Sequence, residues 1–182
     1  MTYAAYKQLF KEILDQPHPP KPYDNEMYLQ YTKLNQSRMN RWDKRLELSP
    51  ELAKKIKGIT TPQHWIIITE PWCGDAAHLV PFFIAMTELN SLITYDIQLR
   101  DSEPFLINSY LTNGSKSIPK LVVRDAEAKD VLVWGARPEG AQALMENLQT
   151  QQADFETIKV ALQKWYNEDK GTAVSAEIET LL

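Results

Sequence analysis

The stretch WIIITEPWCGDAAHLVP, from Trp65 to Pro81, decides how the rest of the chain is interpreted. The residues from Trp65 to Thr69 are typical of a buried strand, and those from Gly74 onward are typical of a helix. Between the two lies Cys73, the only cysteine of the chain. A thiol at a helix start can be stabilised as a thiolate by the helix dipole and by free N–H groups. We therefore expect Cys73 to be reactive and reachable by solvent.

The composition is that of an ordinary globular protein. The chain has 182 residues, of which 43% are hydrophobic and 24% charged, which is enough for one domain with a full core. A net charge of -4 without a basic stripe gives no electrostatic reason to bind nucleic acid. One cysteine cannot form an intramolecular disulfide, and no segment resembles a signal peptide or a membrane span. We expect a cytoplasmic protein that binds neither nucleic acid nor membranes.

The first 60 residues are predicted to be a helical N-terminal extension (residues 1–60). Apolar residues recur at helical spacing in three segments, which are residues 3–15, residues 24–48 with Asp24 as the N-cap, and residues 50–58. A connector rich in proline separates the first two segments and cannot be helical.

Strands and helices alternate from residue 61 to about residue 150, in the order β-α-β-α-β-β-α. The predicted strands are residues 65–69, 92–99, 118–124 and 130–134, and the predicted helices are residues 74–90, 103–111 and 138–150. This order predicts an α/β sandwich with a central mixed sheet, in which a parallel pair comes first and an antiparallel hairpin last. Residues 151–182 are predicted to form a C-terminal helical extension that is divided at Gly171. We expect the three parts to form one compact unit.

This order of elements, with Trp72-Cys73-Gly74 at the first strand–helix junction, resembles the thioredoxin-like superfamily. Pro81 lies eight residues after Cys73, where thioredoxins carry the proline that kinks the active-site helix. The match therefore extends beyond the local motif.

Two further features of the second half of the domain fit the same resemblance. Ile118-Pro119 precedes the hairpin strand, where thioredoxins place a proline with a cis peptide bond, and Gly135-Ala136 resembles the loop that closes their substrate groove. The resemblance covers residues 61–150, about half of the chain. The Cys-Gly-Asp-Ala sequence and the helical extensions are similar to a divergent bacterial branch of thioredoxin-like proteins.

The resemblance implies a site with Cys73 as the nucleophile. The residues that it places around the substrate groove are Trp72, Gly74, Asp75, Ile118, Pro119 and Arg137. The implied partner is a protein or a low-molecular-weight thiol or disulfide, with no metal and no cofactor. The oligomeric state stays open.

Two positions depart from the thioredoxin pattern. Ala76 stands where a dithiol site has its second cysteine, and Ile67 stands where many thioredoxins bury an acid that shuttles protons. Dithiol cycling is therefore absent or needs an outside thiol. The carboxylate of Asp75 suits the first helical turn but disfavours a neighbouring thiolate.

Three functions are compatible with these residues. The first is a monothiol thiol-disulfide oxidoreductase, in which Cys73 forms mixed disulfides that an external thiol resolves. The second is a non-catalytic module that binds a peptide or protein in the groove. The third is an oxidation sensor that dimerises through Cys73. His78 is expected at the surface or half-buried. Together with Cys73 it would supply only two ligands, which is too few for a metal site.

Overall fold

Four strands form one mixed sheet in a computed structural model that describes all 182 residues. The strands are β1 (Gln63–Thr69), β2 (Ile93–Leu99), β3 (Lys120–Arg124) and β4 (Asp130–Trp134). Their order is β2-β1-β3-β4, with β1 parallel to β2 and antiparallel to β3, and with β3 and β4 forming an antiparallel hairpin. The predicted α/β class and mixed sheet are confirmed.

Seven helices surround the sheet. They are α1 (Tyr3–Asp15), α2 (Glu26–Arg45), α3 (Pro50–Lys57), α4 (Gly74–Thr87), α5 (Glu139–Thr150), α6 (Phe155–Asp169) and α7 (Thr172–Leu181). The N-cap of α2 is Asn25, whose side chain accepts a hydrogen bond from the N–H of Met27, and not Asp24 as expected. Between α6 and α7, Gly171 has a φ of +82°, and a Cβ there would lie 2.1 Å from a ring carbon of Phe82. Only glycine therefore allows this close passage.

The helix predicted over residues 103–111 was wrong. This segment contains only a 3₁₀ turn, Leu106–Ser109. Phe105, directly before the turn, has a φ of +54°, which is incompatible with a right-handed helix. Glu103 therefore lies outside any helix.

The central strand β1 is buried on both faces, because helices pack against each side of the sheet. Ile66, Ile67 and Ile68 are each at most 2% exposed. The same hydrophobic core includes Tyr6 from the N-terminal extension and Val174 from the C-terminal extension. No helix of the molecule is both long enough and apolar enough to cross a membrane.

Candidate functional site

Cys73 lies where β1 passes into α4 and serves as the N-cap residue of that helix. Its Sγ accepts a hydrogen bond from the N–H of Ala76 at 3.5 Å and donates one to the carbonyl of Ile118 at 3.4 Å. The residue is only 6% exposed. Cys73 is therefore buried, in contrast to the exposed thiol that the sequence predicted, and it meets the surface only through the cavity that α2 and α6 line.

Burial raises the pKa of the Cys73 thiol to about 12, and the negative charge of Asp75 contributes further. The hydrogen bond from Ala76 and the charge of Arg137 act in the opposite direction but are outweighed. At neutral pH the group is therefore a neutral thiol, which donates a hydrogen bond to the carbonyl oxygen of Ile118. The helix-start effect that favours a thiolate is smaller here than the cost of desolvating a charge.

Asp75 and Arg137 form a buried ion pair beside the thiol. Arg137 Nη2 lies 2.7 Å from Asp75 Oδ2, and the side chains are 18% and 9% exposed, respectively. Arg137 Nη1 donates a further hydrogen bond to Gln142 at 3.4 Å. The guanidinium is therefore fixed by its acidic partner.

A cavity of about 550 Å³ opens above Cys73. One wall is α2, which contributes Met27, Tyr28, Tyr31, Asn35 and Arg38. The opposite wall is α6, which contributes Phe155, Ile158, Lys159, Leu162 and Gln163. Both walls come from segments outside the 61–150 region that the sequence associated with the thioredoxin fold.

Most of the groove residues named from the sequence line this cavity. These residues are Trp72, Gly74, Asp75, Ile118 and Arg137. Pro119 is buried and does not line the cavity, and the Ile118–Pro119 peptide bond is cis. The half-buried ring of Trp72 packs edge-on against Tyr28 and carries the guanidinium of Arg100 4.6 Å from its centre. Trp72 therefore forms an apolar side wall near the thiol.

His78 is 2% exposed, so the expectation of a surface or half-buried histidine was wrong. Trp42 Nε1 donates a hydrogen bond to His78 Nδ1 at 3.0 Å, and His78 Nε2 lies 2.7 Å from Gln163 Oε1. Burial lowers the pKa of His78 to about 4, so the ring is neutral at physiological pH. No cluster of three or more His, Cys, Asp or Glu side chains is placed to hold a metal ion.

The acid that is buried just before the motif is Glu70, since residue 67 is an isoleucine. Its carboxylate accepts hydrogen bonds from the N–H of Asp101 at 2.9 Å and from the hydroxyl of Tyr23 at 3.4 Å, and burial raises its pKa. Glu70 does not line the cavity. It therefore supports the loop before Cys73 without replacing the missing acid.

Sequence reasoning missed the polar residues that α2 and α6 bring to the cavity. Arg38 precedes Cys73 by 35 residues and Gln163 follows it by 90 residues. No spacing or motif in the sequence connects either residue with the thiol, so only the packing of the helices could identify them.

Comparisons with known proteins agree with this architecture. A family model described as thioredoxin matches residues 21–153. The crystal structure of an HIV epitope-scaffold has 16% sequence identity and a TM-score of 0.57, over 86% of this chain and 94% of that one. This likeness supports the fold.

Two other solved structures have lower TM-scores. A protein of unknown function from Pseudomonas aeruginosa is 15% identical with a TM-score of 0.47, over 95% of this chain and 99% of that one. The NTD_N/C domain of alkylhydroperoxide reductase AhpF from Enterococcus faecalis is 19% identical with a TM-score of 0.42, over 56% of this chain and 50% of that one. No curated protein matches the sequence.

Proposed function

Since the chain belongs to the thioredoxin family, we propose that it binds a ligand in the cavity above Cys73 and performs no dithiol redox cycle. The observation that carries this proposal is the state of the thiol: Cys73 is 6% exposed and its pKa is raised to about 12. Ala76, in the position of a resolving cysteine, is also buried and has no redox chemistry. The thioredoxin groove is thus kept as a binding cavity.

The raised pKa makes Cys73 a poor nucleophile at neutral pH. Moving the pKa from its ordinary value of 9.0 to about 12 lowers the thiolate fraction roughly 1,000-fold. A more basic thiolate is intrinsically more nucleophilic, and with a Brønsted coefficient near 0.5 this raises the reaction rate of the thiolate roughly 30-fold. We therefore expect Cys73 to react roughly 30-fold more slowly than an ordinary cysteine, before any steric hindrance is counted.

A second candidate is the monothiol thiol-disulfide oxidoreductase. It is favoured by the position of Cys73, which lines the cavity at the start of α4 and accepts the Ala76 N–H. The thiolate would attack one sulfur of a protein or low-molecular-weight disulfide, and the other sulfur would leave as a thiolate. An external thiol would then attack the mixed disulfide and release Cys73. A sensor that dimerises through Cys73 is disfavoured, because two buried thiols cannot meet without opening both proteins.

The pH dependence of Cys73 alkylation separates the two candidates. With iodoacetamide and folded protein, we expect the rate to rise about tenfold per pH unit from pH 7 to pH 10 without a plateau, since the pKa of the thiol lies above this range. The Cys73→Ser variant supplies the blank. A plateau at or below pH ~8.5, together with disulfide turnover at pH 7 that Cys73→Ser abolishes, would establish the monothiol enzyme instead.

A further inference from the structure

We propose that the cavity above Cys73 binds a small organic anion with an apolar body, whose charged group lies between Arg38 and Gln163. This inference rests on the proposed binding function and names the class of ligand.

The charges that line the cavity are predominantly positive. The basic residues in its wall are Arg38, Arg100, Lys116, Arg137 and Lys159, whereas Asp75 is the only acidic one. The whole chain carries a net charge of -4, so this concentration of cations is opposite to the average of the molecule. A cavity with this lining attracts anions.

Two of these cations form no ion pair. Arg137, Arg100 and Lys159 are paired with the acidic side chains of Asp75, Asp101 and Glu156, respectively. Arg38 and Lys116 have no acidic partner. Their charges are therefore available to a ligand.

The guanidinium of Arg38 is held in place by α2 and the β1–α4 loop. Arg38 Nη1 donates to Asn35 Oδ1 at 2.7 Å, and Asn35 Nδ2 donates to the carbonyl of Pro71 at 2.9 Å. Arg38 is half-buried, and desolvation together with the charge of Arg41 lowers its pKa. An anion that bound there would relieve both costs.

The amide of Gln163 is oriented by the buried histidine. His78 Nδ1 accepts the Trp42 hydrogen bond and the ring is neutral, so the single ring proton lies on Nε2. His78 Nε2 therefore donates a hydrogen bond to Gln163 Oε1. The Gln163 NH₂ group must then point the other way. It makes no hydrogen bond within the protein and lines the cavity.

The two donors converge over Gly74, directly beside the thiol. A Cβ at Gly74 would lie 3.2 Å from Gln163 Nε2 and 4.0 Å from Arg38 Nη1. The same three residues line the cavity, so a carboxylate or similar oxyanion that lies in it above Gly74 can accept from the guanidinium and the amide together. Charge-assisted bonds of this kind are the stronger ones. The neutral thiol of Cys73 is a compatible neighbour for a bound anion, whereas a thiolate would repel it.

The remaining walls and the volume define the rest of the ligand. Apolar side chains face the cavity from both helices and from the loop before α4: Met27, Tyr28, Trp72, Ile158 and Leu162. Above them, Tyr31 bridges the two walls, since its hydroxyl donates to Glu156 at 3.1 Å and accepts from Lys159 at 2.9 Å. A folded protein cannot enter a space of about 550 Å³ between bridged helices, so the ligand is a small molecule.

Two probes of equal shape test this assignment. Naphthalene-2-carboxylate carries the charge and the apolar body, and naphthalene-2-carboxamide has the same body without the charge. By calorimetric titration of the full-length Cys73→Ser protein, we expect a Kd at least tenfold lower for the carboxylate. Arg38→Gln should raise the Kd of the carboxylate about tenfold and leave that of the carboxamide within twofold, because a charge-assisted bond is lost.

The matched control is Lys33→Gln, which removes the same charge from an exposed position of α2 outside the cavity and should have no effect. If Arg38→Gln does not fold, Lys116→Gln at an exposed position should raise the carboxylate Kd about threefold. Equal affinities for the two probes, no binding of either, or equal effects of the Arg38 and Lys33 variants would overturn the assignment. Disulfide turnover by Cys73 at pH 7 would instead overturn the proposed function. It would leave the titration result unaffected, since the titrated Cys73→Ser protein has no thiol.

Discussion

At the residue scale, the ionisation of Cys73 depends on its neighbour Asp75. Burial is the larger cause of the raised pKa of the thiol, and the Asp75 charge is the next. Arg137 offsets only part of this, because the Asp75 carboxylate 2.7 Å away neutralises it. The raised pKa of the thiol is therefore partly a consequence of one charged neighbour and can be altered by one substitution.

Asp75→Asn should increase the reactivity of Cys73. The substitution removes a negative charge and leaves Arg137 unpaired beside the sulfur, so the pKa of the thiol falls. We expect iodoacetamide to alkylate the folded variant about threefold faster than the wild type at pH 7, which corresponds to a pKa decrease of about one unit, because the tenfold gain in thiolate is partly offset by its lower nucleophilicity. Alkylation followed by intact-mass spectrometry measures the rate.

The control for this substitution is Glu127→Gln, which removes an exposed negative charge in the turn between β3 and β4. Its alkylation rate should equal that of the wild type. Because one partner of a buried pair is lost, Asp75→Asn should also cost about 3 kcal/mol of unfolding free energy in urea. A folded Asp75→Asn protein with an unchanged rate would show that burial alone sets the pKa.

The sequence predicted the sign of the Asp75 effect but not the burial of Cys73. The sign follows from a thiol and a carboxylate that are two residues apart at one helix start, which is visible in the sequence. The burial depends on residues such as Tyr28 and Leu162, which line the cavity from helices far away along the chain. Local sequence carries no information about these neighbours.

At the element scale, His78 connects three helices. It lies on α4, accepts a hydrogen bond from Trp42 on α2 and donates one to Gln163 on α6, and its ring stacks on Tyr166 of α6 at a centroid distance of 4.7 Å. Protonation of the ring would replace the acceptor Nδ1 with a donor that faces the Trp42 N–H. The packing of α2, α4 and α6 is therefore coupled to pH through one side chain.

Acid should weaken the folded state through His78. Its pKa is about 4 in the folded protein and about 6.5 in the unfolded chain, so the unfolded chain binds a proton first as the pH falls. This contribution is complete above pH ~6.5 and is lost between pH ~6.5 and pH ~4, with a total of roughly 3 kcal/mol. Urea unfolding at several pH values between 7 and 4 measures the loss.

His78→Gln should flatten this dependence, because glutamine does not titrate. Carboxylates contribute in both proteins, so the difference between the two pH profiles isolates the histidine. His18→Gln, at an exposed position of the proline-rich connector, should reproduce the wild-type profile. Parallel profiles for the wild type and His78→Gln would contradict the assignment of a buried neutral ring.

The element boundaries that the sequence predicted well are those with explicit signals. The start of α3 follows from Ser49-Pro50, and its end from Gly58. The segment after β2 was mispredicted because its residues permit a helix, while the left-handed conformation of Phe105 is set by the folded loop. The capping signals of α3 are local in the sequence, whereas the conformation of Phe105 is imposed by the whole structure.

At the scale of the whole molecule, both helical extensions contribute buried side chains to the same hydrophobic core as the sheet. Leu162, Tyr166 and Ile178 of the C-terminal segment are each at most 6% exposed. From the N-terminal segment, the hydroxyl of Tyr6 lies 3.2 Å from Thr69 Oγ1 at the end of the central strand. Removing either extension would expose a continuous apolar surface on the central layer.

Residues 61–150 alone should not fold cooperatively. We expect this fragment to lack a near-ultraviolet circular dichroism signal and a sigmoidal thermal transition, since the surfaces that α2, α6 and α7 cover would be open to water. The full chain should melt in one transition observed equally by near- and far-ultraviolet signals. A cooperative melt of the fragment would instead show an autonomous thioredoxin-like domain with separate extensions.

The alternation of strands and helices, and with it the thioredoxin-like fold, could be predicted from the sequence because the β1–α4 stretch and the element order are local patterns. The cavity could not, since its walls come from the two segments that lie outside the resemblance. Tyr31 and Lys159 close it together, yet 128 residues separate them. The fold can therefore be predicted from residues close together in the sequence, whereas the site depends on contacts between residues that are far apart.

Because the single thiol lines the cavity, the rate at which Cys73 is labelled reports whether the cavity is occupied. Any compound that fills the space will shield Cys73, and there is no second cysteine to add background labelling. A library of unlabelled compounds could thus be ranked by how far each one delays a single mass increment. The screen needs no engineered reporter and works before the natural ligand has been identified.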